Sequence, residues 1–373
     1  MTLPREARAA VTLGPGAVEV RRFALPELRD DDALLAVEAA GVCGSDYPFF
    51  AGMRDGGARI QGHENVGRIA AIGAAAARRW NLAAGDRVVV EEFIPCWQCR
   101  MCRTGNYRIC DRSDLFLAPK DLLRYGDTPV DVAPALWGGF AEYQYLHPNS
   151  LVYRMADHVA ADAAPLFIPI ANGLRWVREV AQLPVGGTIV IQGPGQHGLG
   201  CVIAAKESGA AAIVVVGLAR DRVRFAAARA LGATHVVVAP EEDVEARVRA
   251  ITGGELADVV IDLTPGVTAP LSLAMRLVRK LGVVIMAGAK HERMNDLDSM
   301  QIYAKELTVR GVRGHDIRSV VPAIALIESG RYDFTPLLTH RYGLNDVARA
   351  LATIGGRADA DAIHLNVVPG GAG

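Results

Sequence analysis

The sequence predicts an α/β protein with two domains, one mostly β and irregular, the other a doubly wound parallel sheet covered by helices. Three observations lead to this fold class. The first part of the chain is rich in glycine, proline and short β-type runs. From about Asp157 to Gly288, strands and helices alternate. The last segment, from Asp298 onward, returns to mixed patterning, so we expect it to rejoin the first domain.

The first domain is predicted to comprise residues 1–155 and 297–373. Its β-type runs are short and are not separated by regular helices, which is typical of an irregular β domain. The strands predicted most clearly are Ala33–Ala39, Gly67–Ile72 and Arg87–Val90.

The second domain is predicted to comprise residues 156–296. Continuous runs of valine and isoleucine alternate with helical segments, which indicates a parallel sheet buried on both faces. The predicted strands are Thr188–Gln192, Ala212–Gly217, His235–Ala239, Ala257–Leu263 and Val283–Ala287. The predicted helices are His197–Ser208, Asp221–Leu231, Glu242–Ile251 and Ala269–Lys280.

Charge and hydropathy limit the possible partners. With 40 basic and 41 acidic residues, the formal net charge of −1 predicts no general attraction to nucleic acid or to a membrane. We find no export signal and no apolar run long enough to span a bilayer. The expected compartment is therefore the cytoplasm, where thiols stay reduced.

A glycine-rich segment, Gly193-Pro-Gly-Gln196-His197-Gly198, follows a predicted strand and begins an apolar helix. That context is typical of a dinucleotide-binding loop. Gly193 would allow the tight turn, Gly195 would let a pyrophosphate approach the backbone, and Gly198 would let helix and strand pack closely. The alternative is an ordinary glycine-rich turn.

The end of the next predicted strand bears on which cofactor binds. An acidic residue there would hold the ribose hydroxyls of NAD, but the position is Gly217. Arg220 and Arg222 follow, where the 2′-phosphate of NADP would lie. This favours NADP over NAD. The alternative is that both arginines are solvated and that Asp221 contacts the ribose.

Four cysteines, Cys96, Cys99, Cys102 and Cys110, lie within fifteen residues. In a large cytosolic protein, this crowding indicates a metal rather than disulfides. Four thiolates close a tetrahedron on zinc and leave no position for substrate, so we expect a structural zinc lobe over residues 93–112. The alternative is four unrelated buried cysteines.

Together these segments resemble the zinc-dependent medium-chain dehydrogenase/reductase family of alcohol, sorbitol and threonine dehydrogenases. The resemblance covers nearly the whole chain. Besides the glycine loop and the four cysteines, the matching segments are Gly41-Val-Cys-Gly-Ser-Asp46, Gly62-His-Glu-Asn-Val-Gly67, Gly85-Asp-Arg-Val88, Gly139-Phe-Ala-Glu-Tyr143 and Lys305-Glu-Leu-Thr-Val309. The resemblance implies a GroES-like catalytic domain, a Rossmann domain, an active site in the cleft, and a homodimer or homotetramer formed through the Rossmann domains.

The resemblance also implies a catalytic zinc and a hydride transfer between NAD(P) and a small alcohol or carbonyl compound. Cys43 and His63 would be zinc ligands, and Glu64 would lie beside the metal or bind it. Asp46 would hold the far nitrogen of His63. Ser45 would hydrogen-bond the substrate oxygen and pass its proton outward.

Two positions depart from the family pattern. The remaining zinc ligand of relatives falls at Ile168, which cannot bind metal, so we expect Glu64 to coordinate directly. A histidine that completes the proton relay in many relatives falls at Pro48. The proton would then leave through Tyr47 or through bulk water, and the sequence does not choose between them.

A hydrophobic substrate is expected from the side chains predicted near the metal. The long connection from Asp114 to Trp137 would cap the cleft. The alternative is that several of these side chains belong to the core. The predicted pocket residues are Tyr47, Pro48, Phe49, Phe93, Trp137 and Ile168.

Two other functions remain open at this point. One is an NADPH-dependent reductase of activated double bonds without a catalytic zinc. The other is a nucleotide-binding protein without catalysis. The presence of Cys43, His63 and Glu64 argues against the first, and that of Ser45 and Asp46 against the second.

Overall fold

The computed structural model describes residues 3–54, 56–117, 123–295, 297–356, 359 and 361–370. The chain divides into two compact units. The first is formed by Met1–Phe167 and Ile324–Gly373, and the second by Ile168–Ala323. Residues 118–122 of the predicted capping connection lie outside the described residues.

The part of the first unit that precedes residue 168 is dominated by strands. Its strands are β1 (Glu6–Gly14), β2 (Ala17–Ala24), β3 (Ala33–Val42), β4 (Arg59–Ile60), β5 (Glu64–Ile72), β6 (Arg87–Val90), β7 (Tyr143–Leu146) and β8 (Val152–Arg154). Its helices are α1 (Tyr47–Phe50), α2 (Ala74–Trp80) and α3 (Arg100–Arg103).

The second unit alternates strands with helices. Its strands are β9 (Thr188–Gln192), β10 (Ala212–Leu218), β11 (His235–Ala239), β12 (Ala257–Asp262), β13 (Val278–Met286) and β14 (Thr308–Gly311). Its helices are α5 (Gln196–Glu207), α6 (Arg222–Leu231), α7 (Val244–Ile251), α8 (Ala269–Leu277) and α9 (Ser299–Ala304). Helices α4 (Phe167–Leu174) and α10 (Ile317–Glu328) contain the two points at which the units are divided. Helix α4 continues as a π-helical segment over Arg175–Val180.

The chain then returns to the first unit through β15 (Leu338–Tyr342), α11 (Val347–Ile354) and β16 (His364–Val367). The larger sheet of this unit has the order β15-β16-β3-β5-β6-β8, and β7 also pairs with β3. A smaller sheet has the order β2-β1-β4. Strand β3 lies centrally because its alanine, leucine and valine side chains are buried along nearly its whole length.

The second unit contains a parallel sheet in the order β11-β10-β9-β12-β13-β14. The order reverses direction between β10 and β12, on either side of β9, as in doubly wound dinucleotide-binding folds. Strand β9 is buried except at its first residue, as expected for the centre of a sheet covered on both faces.

The bounds of most predicted elements differ from those in the structure; β13, for example, begins at Val278 rather than at Val283, and the second unit covers Ile168–Ala323 rather than residues 156–296. Specific contacts account for two of these differences. Strand β14 pairs with β13, so the chain stays in the parallel sheet beyond residue 297. Helix α8 ends at Leu277 rather than at Lys280, because Val278 is extended and the ammonium of Lys305 donates to the carbonyls of Met275 and Val278. Within the part of the chain that the structure describes, no helix is both long and apolar enough to cross a membrane.

Candidate active site and metal centres

The four cysteines of the predicted lobe converge on one point. The Sγ atoms of Cys96, Cys99, Cys102 and Cys110 all lie within 4.8 Å of one another. Helix α3 begins inside this cluster. Its N-cap is Cys99, whose Sγ accepts a hydrogen bond from the Cys102 amide at 3.4 Å. Two further amide donors reach sulfur, Cys99 to Cys96 at 3.3 Å and Cys96 to Cys110 at 3.4 Å. Such donors stabilise thiolates, the form of cysteine that binds zinc.

The cysteines of this cluster differ in acidity. Burial and the neighbouring sulfur atoms raise the pKa of Cys102. Burial acts in the same direction on Cys110, but the amides of Cys96 and Arg112 outweigh it and lower the pKa of Cys110 to about 6. These amide donors favour the thiolate form of Cys110.

A buried carboxylate links this lobe to the sheet through hydrogen bonds. It was not among the residues predicted from the sequence. Glu91, which follows β6, accepts hydrogen bonds from the hydroxyls of Tyr107 at 3.0 Å and Tyr153 at 2.6 Å. Tyr107 lies between the third and fourth cysteines, in contact with Phe93. Phe93 is itself buried in the small core of the lobe.

A second group of donors forms where β3 ends and β5 begins. The ligand atoms of Cys43, His63 and Glu64 lie within 4.8 Å of one another, and all three residues are buried. Strand pairing brings them together, since Gly41 of β3 lies opposite Glu64 of β5. Thiolate, imidazole and carboxylate are the donors that catalytic zinc sites use.

The carboxylate of Asp46 contacts both His63 and Cys43. Its Oδ1 lies 3.2 Å from Nδ1 of His63, and its Oδ2 accepts the Cys43 amide at 2.9 Å. Burial alone would lower the pKa of His63, but Asp46 and the sulfur of Cys43 outweigh it and hold that pKa well above its ordinary value. The Ser45 hydroxyl is on the exposed side, 3.4 Å from Nε2 of His63.

The space for the Glu64 carboxylate depends on Gly41. A Cβ at position 41 would collide with Oε2 of Glu64 and would lie 3.1 Å from Cε1 of His364. The Glu64 carboxylate lies within 4.8 Å of the donor atoms of Cys43 and His63, an arrangement that fits a metal ion bound by all three.

Gln61 also supports the group, and the sequence analysis missed it. Its side-chain amide donates to the Asp46 carbonyl at 2.8 Å and its Oε1 accepts from Thr12 at 2.9 Å. Gln61 is buried just before His63. A polar residue two positions before a candidate ligand was the only signal available in the sequence.

The predicted pocket residues differ in how far the structure exposes them to solvent. Phe49, Phe93, Trp137 and Ile168 are each only 2–3% exposed. Trp137, for example, donates from its indole nitrogen to a carbonyl at 2.8 Å and packs edge-on against an aromatic ring at 5.2 Å. Trp137 belongs to the main hydrophobic core of the first unit and Phe93 to the small core of the lobe. Burial alone does not separate a pocket wall from the core, so the pocket assignment stays a prediction.

Tyr47 and Pro48 are half-buried and begin helix α1. A Cβ at Gly355 would collide with the Tyr47 ring, so that ring lies against the end of α11. Ile168 lies in α4, in the second unit.

The glycine loop has the geometry of a strand–turn–helix junction. Gly193 follows β9 with φ at +102°, a conformation that favours glycine. Gly195 is the N-cap of α5, and a Cβ there would meet nothing within 4 Å. A Cβ at Gly198 would collide with the Gly193 carbonyl. Gln196 is buried, and His197 packs edge-on against Trp176, with ring centroids 5.7 Å apart.

The acidic residue and the arginines that follow β10 differ in their exposure to solvent. Asp221 is buried and accepts hydrogen bonds from the Leu218 amide at 2.8 Å and from Arg224 at 2.6 Å. A Cβ at Gly217 would lie 2.9 Å from Oδ2 of Asp221, so a second acidic side chain there would bring two carboxylates close together. Arg220 and Arg222 are exposed.

Two protein-family models match the chain: the alcohol dehydrogenase GroES-like domain over residues 29–157, and the zinc-binding dehydrogenase over residues 198–329. A Mycobacterium tuberculosis protein named "Probable alcohol dehydrogenase adh" is 42% identical, covering 94% of this chain and 95% of that protein. The erythritol/L-threitol dehydrogenase of Mycolicibacterium smegmatis is 30% identical, covering 98% and 99%.

A solved structure from Sinorhizobium meliloti, assigned to the zinc-binding dehydrogenases and bound to NADP, has 25% identity and a TM-score of 0.83. The match covers 98% of this chain and 100% of that one. These findings support zinc and a nicotinamide cofactor. The chain belongs to the zinc-type medium-chain dehydrogenase family and is an NAD(P)-linked alcohol oxidoreductase.

Proposed function

We propose that Cys43, His63 and Glu64 hold the catalytic zinc of an NADP-preferring alcohol dehydrogenase or carbonyl reductase. The observation that carries this proposal is the convergence of three buried donor side chains within 4.8 Å, with Asp46 behind His63. When bound, zinc supplies a Lewis acid that polarises the alcohol or carbonyl oxygen, and the nicotinamide exchanges the hydride.

The protein groups around the zinc position its ligands and move the proton. Asp46 accepts from Nδ1 of His63, which leaves Nε2 to the metal and fixes the imidazole ring. The Ser45 hydroxyl, 3.4 Å from that Nε2, hydrogen-bonds the substrate oxygen and takes its proton. Because Pro48 carries no proton and the Tyr47 ring lies against Gly355, we propose that the proton passes from Ser45 to bulk water.

Glu64 replaces the family ligand that is missing at Ile168. A catalytic zinc usually has three protein ligands and one open position. With Glu64 coordinated, the ligands are one thiolate, one imidazole and one carboxylate, so the net charge equals that of relatives whose remaining ligand is acidic. This preserves the electrostatic environment of the zinc.

We propose NADP as the preferred cofactor. The buried Asp221 already accepts from Leu218 and Arg224, so it is poorly placed to hold a ribose. Exposed Arg220 and Arg222 lie at the end of β10, where charge-assisted hydrogen bonds to a 2′-phosphate would form. Neither arginine has a carboxylate within ion-pair distance among the residues that the structure describes.

We propose a hydrophobic alcohol, aldehyde or ketone as substrate. Ile168 and Pro48 stand where many relatives carry polar side chains, and Pro48 and Tyr47 offer half-buried apolar surface beside Asp46. A polyol is the second candidate, because the relative from Mycolicibacterium smegmatis is named for erythritol and threitol.

Initial rates with a panel of substrates test the proposal. The panel contains aliphatic, cyclic and benzylic alcohols, the matching aldehydes, erythritol, threitol and sorbitol, and α,β-unsaturated ketones for the competing reaction, each with NADP and NAD or their reduced forms. We expect kcat/KM at least about tenfold higher for an apolar alcohol than for any polyol. Preference for a polyol would overturn the substrate class, and turnover of activated double bonds alone would overturn the reaction.

We also propose that the chain forms a homodimer or homotetramer through the second unit and works in the cytoplasm. All four residues of the edge strand β14 are exposed, as are Leu281, Met300 and Tyr303. Unpaired edges and exposed apolar patches are typical of subunit interfaces. Light scattering on the purified protein gives the mass, and a monomer that persists at high concentration would contradict the interface.

A further inference from the structure

A buried ion pair lies at the edge of the parallel sheet where the strands end. Lys290 follows β13, and its ammonium is 2.7 Å from Oδ2 of Asp262, the last residue of β12. The Asp262 side chain is fully buried and that of Lys290 is 8% exposed. Neither residue belongs to the glycine loop or to the metal groups.

Thr264 completes this arrangement. The ammonium of Lys290 donates to the Thr264 carbonyl and to its hydroxyl, the latter at 3.2 Å. Oδ1 of Asp262 accepts from the Thr264 amide at 2.9 Å and from its hydroxyl at 2.5 Å. Three oxygen atoms therefore surround the ammonium, which leaves it little capacity to bind a ligand directly. Its role is to hold the turn after β12.

This turn adjoins the first glycine of the nucleotide loop. A Cβ at Gly193 would lie 3.5 Å from the Leu263 backbone and 3.6 Å from Cγ2 of Thr264. On the other side, a Cβ at Gly288 would collide with the Thr264 carbonyl. Thr264 thus occupies the space between the ends of β9 and β13, and Lys290 determines where it lies.

The strand order shows which part of a dinucleotide this turn would face. The adenosine ribose of a dinucleotide lies at the end of the strand that follows the glycine loop, here β10. The pyrophosphate lies at the start of α5. The other half must then cross to the opposite side of β9, over the ends of β12 and β13, where the buried pair lies.

We propose that Lys290 is a positioning residue for the nicotinamide half of the cofactor, acting through Thr264 and Asp262. It holds the turn after β12 and neutralises a carboxylate that would otherwise be uncompensated next to the nicotinamide ring. This inference rests on the nucleotide site proposed above. An uncompensated carboxylate attracts the positively charged oxidised ring more than the neutral reduced ring. The pair therefore also balances the affinities for NADPH and NADP.

The variant Lys290→Met separates this role from general stability. We measure its dissociation constants for NADPH, for NADP and for adenosine 2′,5′-bisphosphate, which represents the adenine half alone. We expect NADPH to bind about tenfold more weakly and NADP to lose less affinity, because removing one partner of a buried pair leaves the other charge uncompensated. Binding of the bisphosphate should change by less than about twofold.

Lys305→Met is the matched control. Lys305 lies in the same unit and also uses its ammonium to hold backbone carbonyls, at the end of α8. We expect it to leave all three dissociation constants unchanged. If Lys290→Met fails to fold, Thr264→Val removes only the hydroxyl and should weaken NADPH about threefold without affecting the bisphosphate.

Four results would count against the inference, and the last of them against the nucleotide site on which it rests. If Lys290→Met weakened the binding of NADPH and of the bisphosphate equally, the ion pair would only support the fold. The same conclusion would follow if Lys305→Met changed the three dissociation constants as Lys290→Met does. Unchanged binding in Lys290→Met, with a wild-type protein that binds all three ligands, would refute the role of Lys290 alone. A wild-type protein that binds neither NADPH nor the bisphosphate would refute the proposed nucleotide site itself.

Discussion

Two groups of metal-type donors lie in the first unit, and they differ in chemistry and surroundings. The four-cysteine lobe offers only sulfur and receives backbone amides at its sulfur atoms. The group of Cys43, His63 and Glu64 offers one sulfur, one nitrogen and one carboxylate, with Ser45 exposed beside it. Four ligands complete a tetrahedron, whereas three leave a position for substrate.

The two sites are encoded differently in the sequence. The lobe forms within one short segment, around one turn of helix, so its ligands can be assembled locally. The other group needs β3 and β5 to pair in the correct register before its donors meet. We therefore expect loss of a lobe ligand to affect folding, and loss of a ligand from the other group to affect the reaction.

The largest effect is expected from Cys102→Ser. Zinc binding to a closed thiolate site contributes directly to folding, so this variant should lose at least about 3 kcal/mol of unfolding free energy and much of its soluble yield. Denaturant titration and metal analysis measure both. Cys201→Ser is the control, since Cys201 is a buried cysteine of α5 outside either donor group. A Cys102→Ser protein that is as stable as the wild type and lacks only turnover would show that the lobe serves the reaction and not folding.

A smaller, purely catalytic effect is expected from Ser45→Ala. Removing the hydroxyl that accepts the substrate proton should lower kcat about 100-fold. The zinc content and the unfolding free energy should stay at wild-type values, because Ser45 is exposed and is not among the donors. Steady-state kinetics over a range of pH, with metal analysis of the same sample, measure this. Full activity in Ser45→Ala would remove Ser45 from the proton route.

Cofactor preference gives a third test, which extends the comparison to the second unit. Arg220→Ala should raise KM for NADP about tenfold, the value of one charge-assisted hydrogen bond, and leave KM for NAD unchanged. Arg222→Ala should act in the same direction. Arg229→Ala, another exposed arginine of α6, controls for general charge effects. A strong preference for NAD in the wild type, unaffected by Arg220→Ala, would contradict the proposed phosphate site.

The smallest effect is expected at the base of the lobe. Tyr107→Phe removes a hydroxyl that donates to buried Glu91, which should cost about 1 kcal/mol of unfolding free energy and leave the zinc count unchanged. Urea denaturation of the variant and of the wild type measures the difference. Loss of zinc from Tyr107→Phe would show that this hydrogen bond holds the ligands in place, not only the lobe.

The sequence predicted the parallel sheet accurately because buried strands and amphipathic helices carry strong periodicity. Strands β9 and β11 have the predicted bounds, and the glycine turn lies where the spacing placed it. The limits of α8 and of the second unit depend on contacts made by Lys305 and by β14, which are distant in sequence. No local pattern encodes such contacts.

The site could be predicted only in part, for a similar reason. Local spacing indicated the four cysteines, and resemblance to the family indicated Cys43 and His63. Gln61, Glu91 and Lys290 act through partners that only the fold brings near. Aromatic composition suggested a pocket, but it does not distinguish a pocket wall from the core, and Trp137 is packed as core.

The number of zinc ions per chain decides whether Glu64 binds a catalytic metal. Metal analysis of the purified, active enzyme should give two zinc ions per chain. Glu64→Ala should give one zinc ion, with activity lost and the lobe intact, because two remaining ligands rarely hold zinc. An active wild-type enzyme with a single zinc ion, which Cys102→Ser removes and Glu64→Ala retains, would contradict coordination by Glu64 and favour a reductase without a catalytic metal.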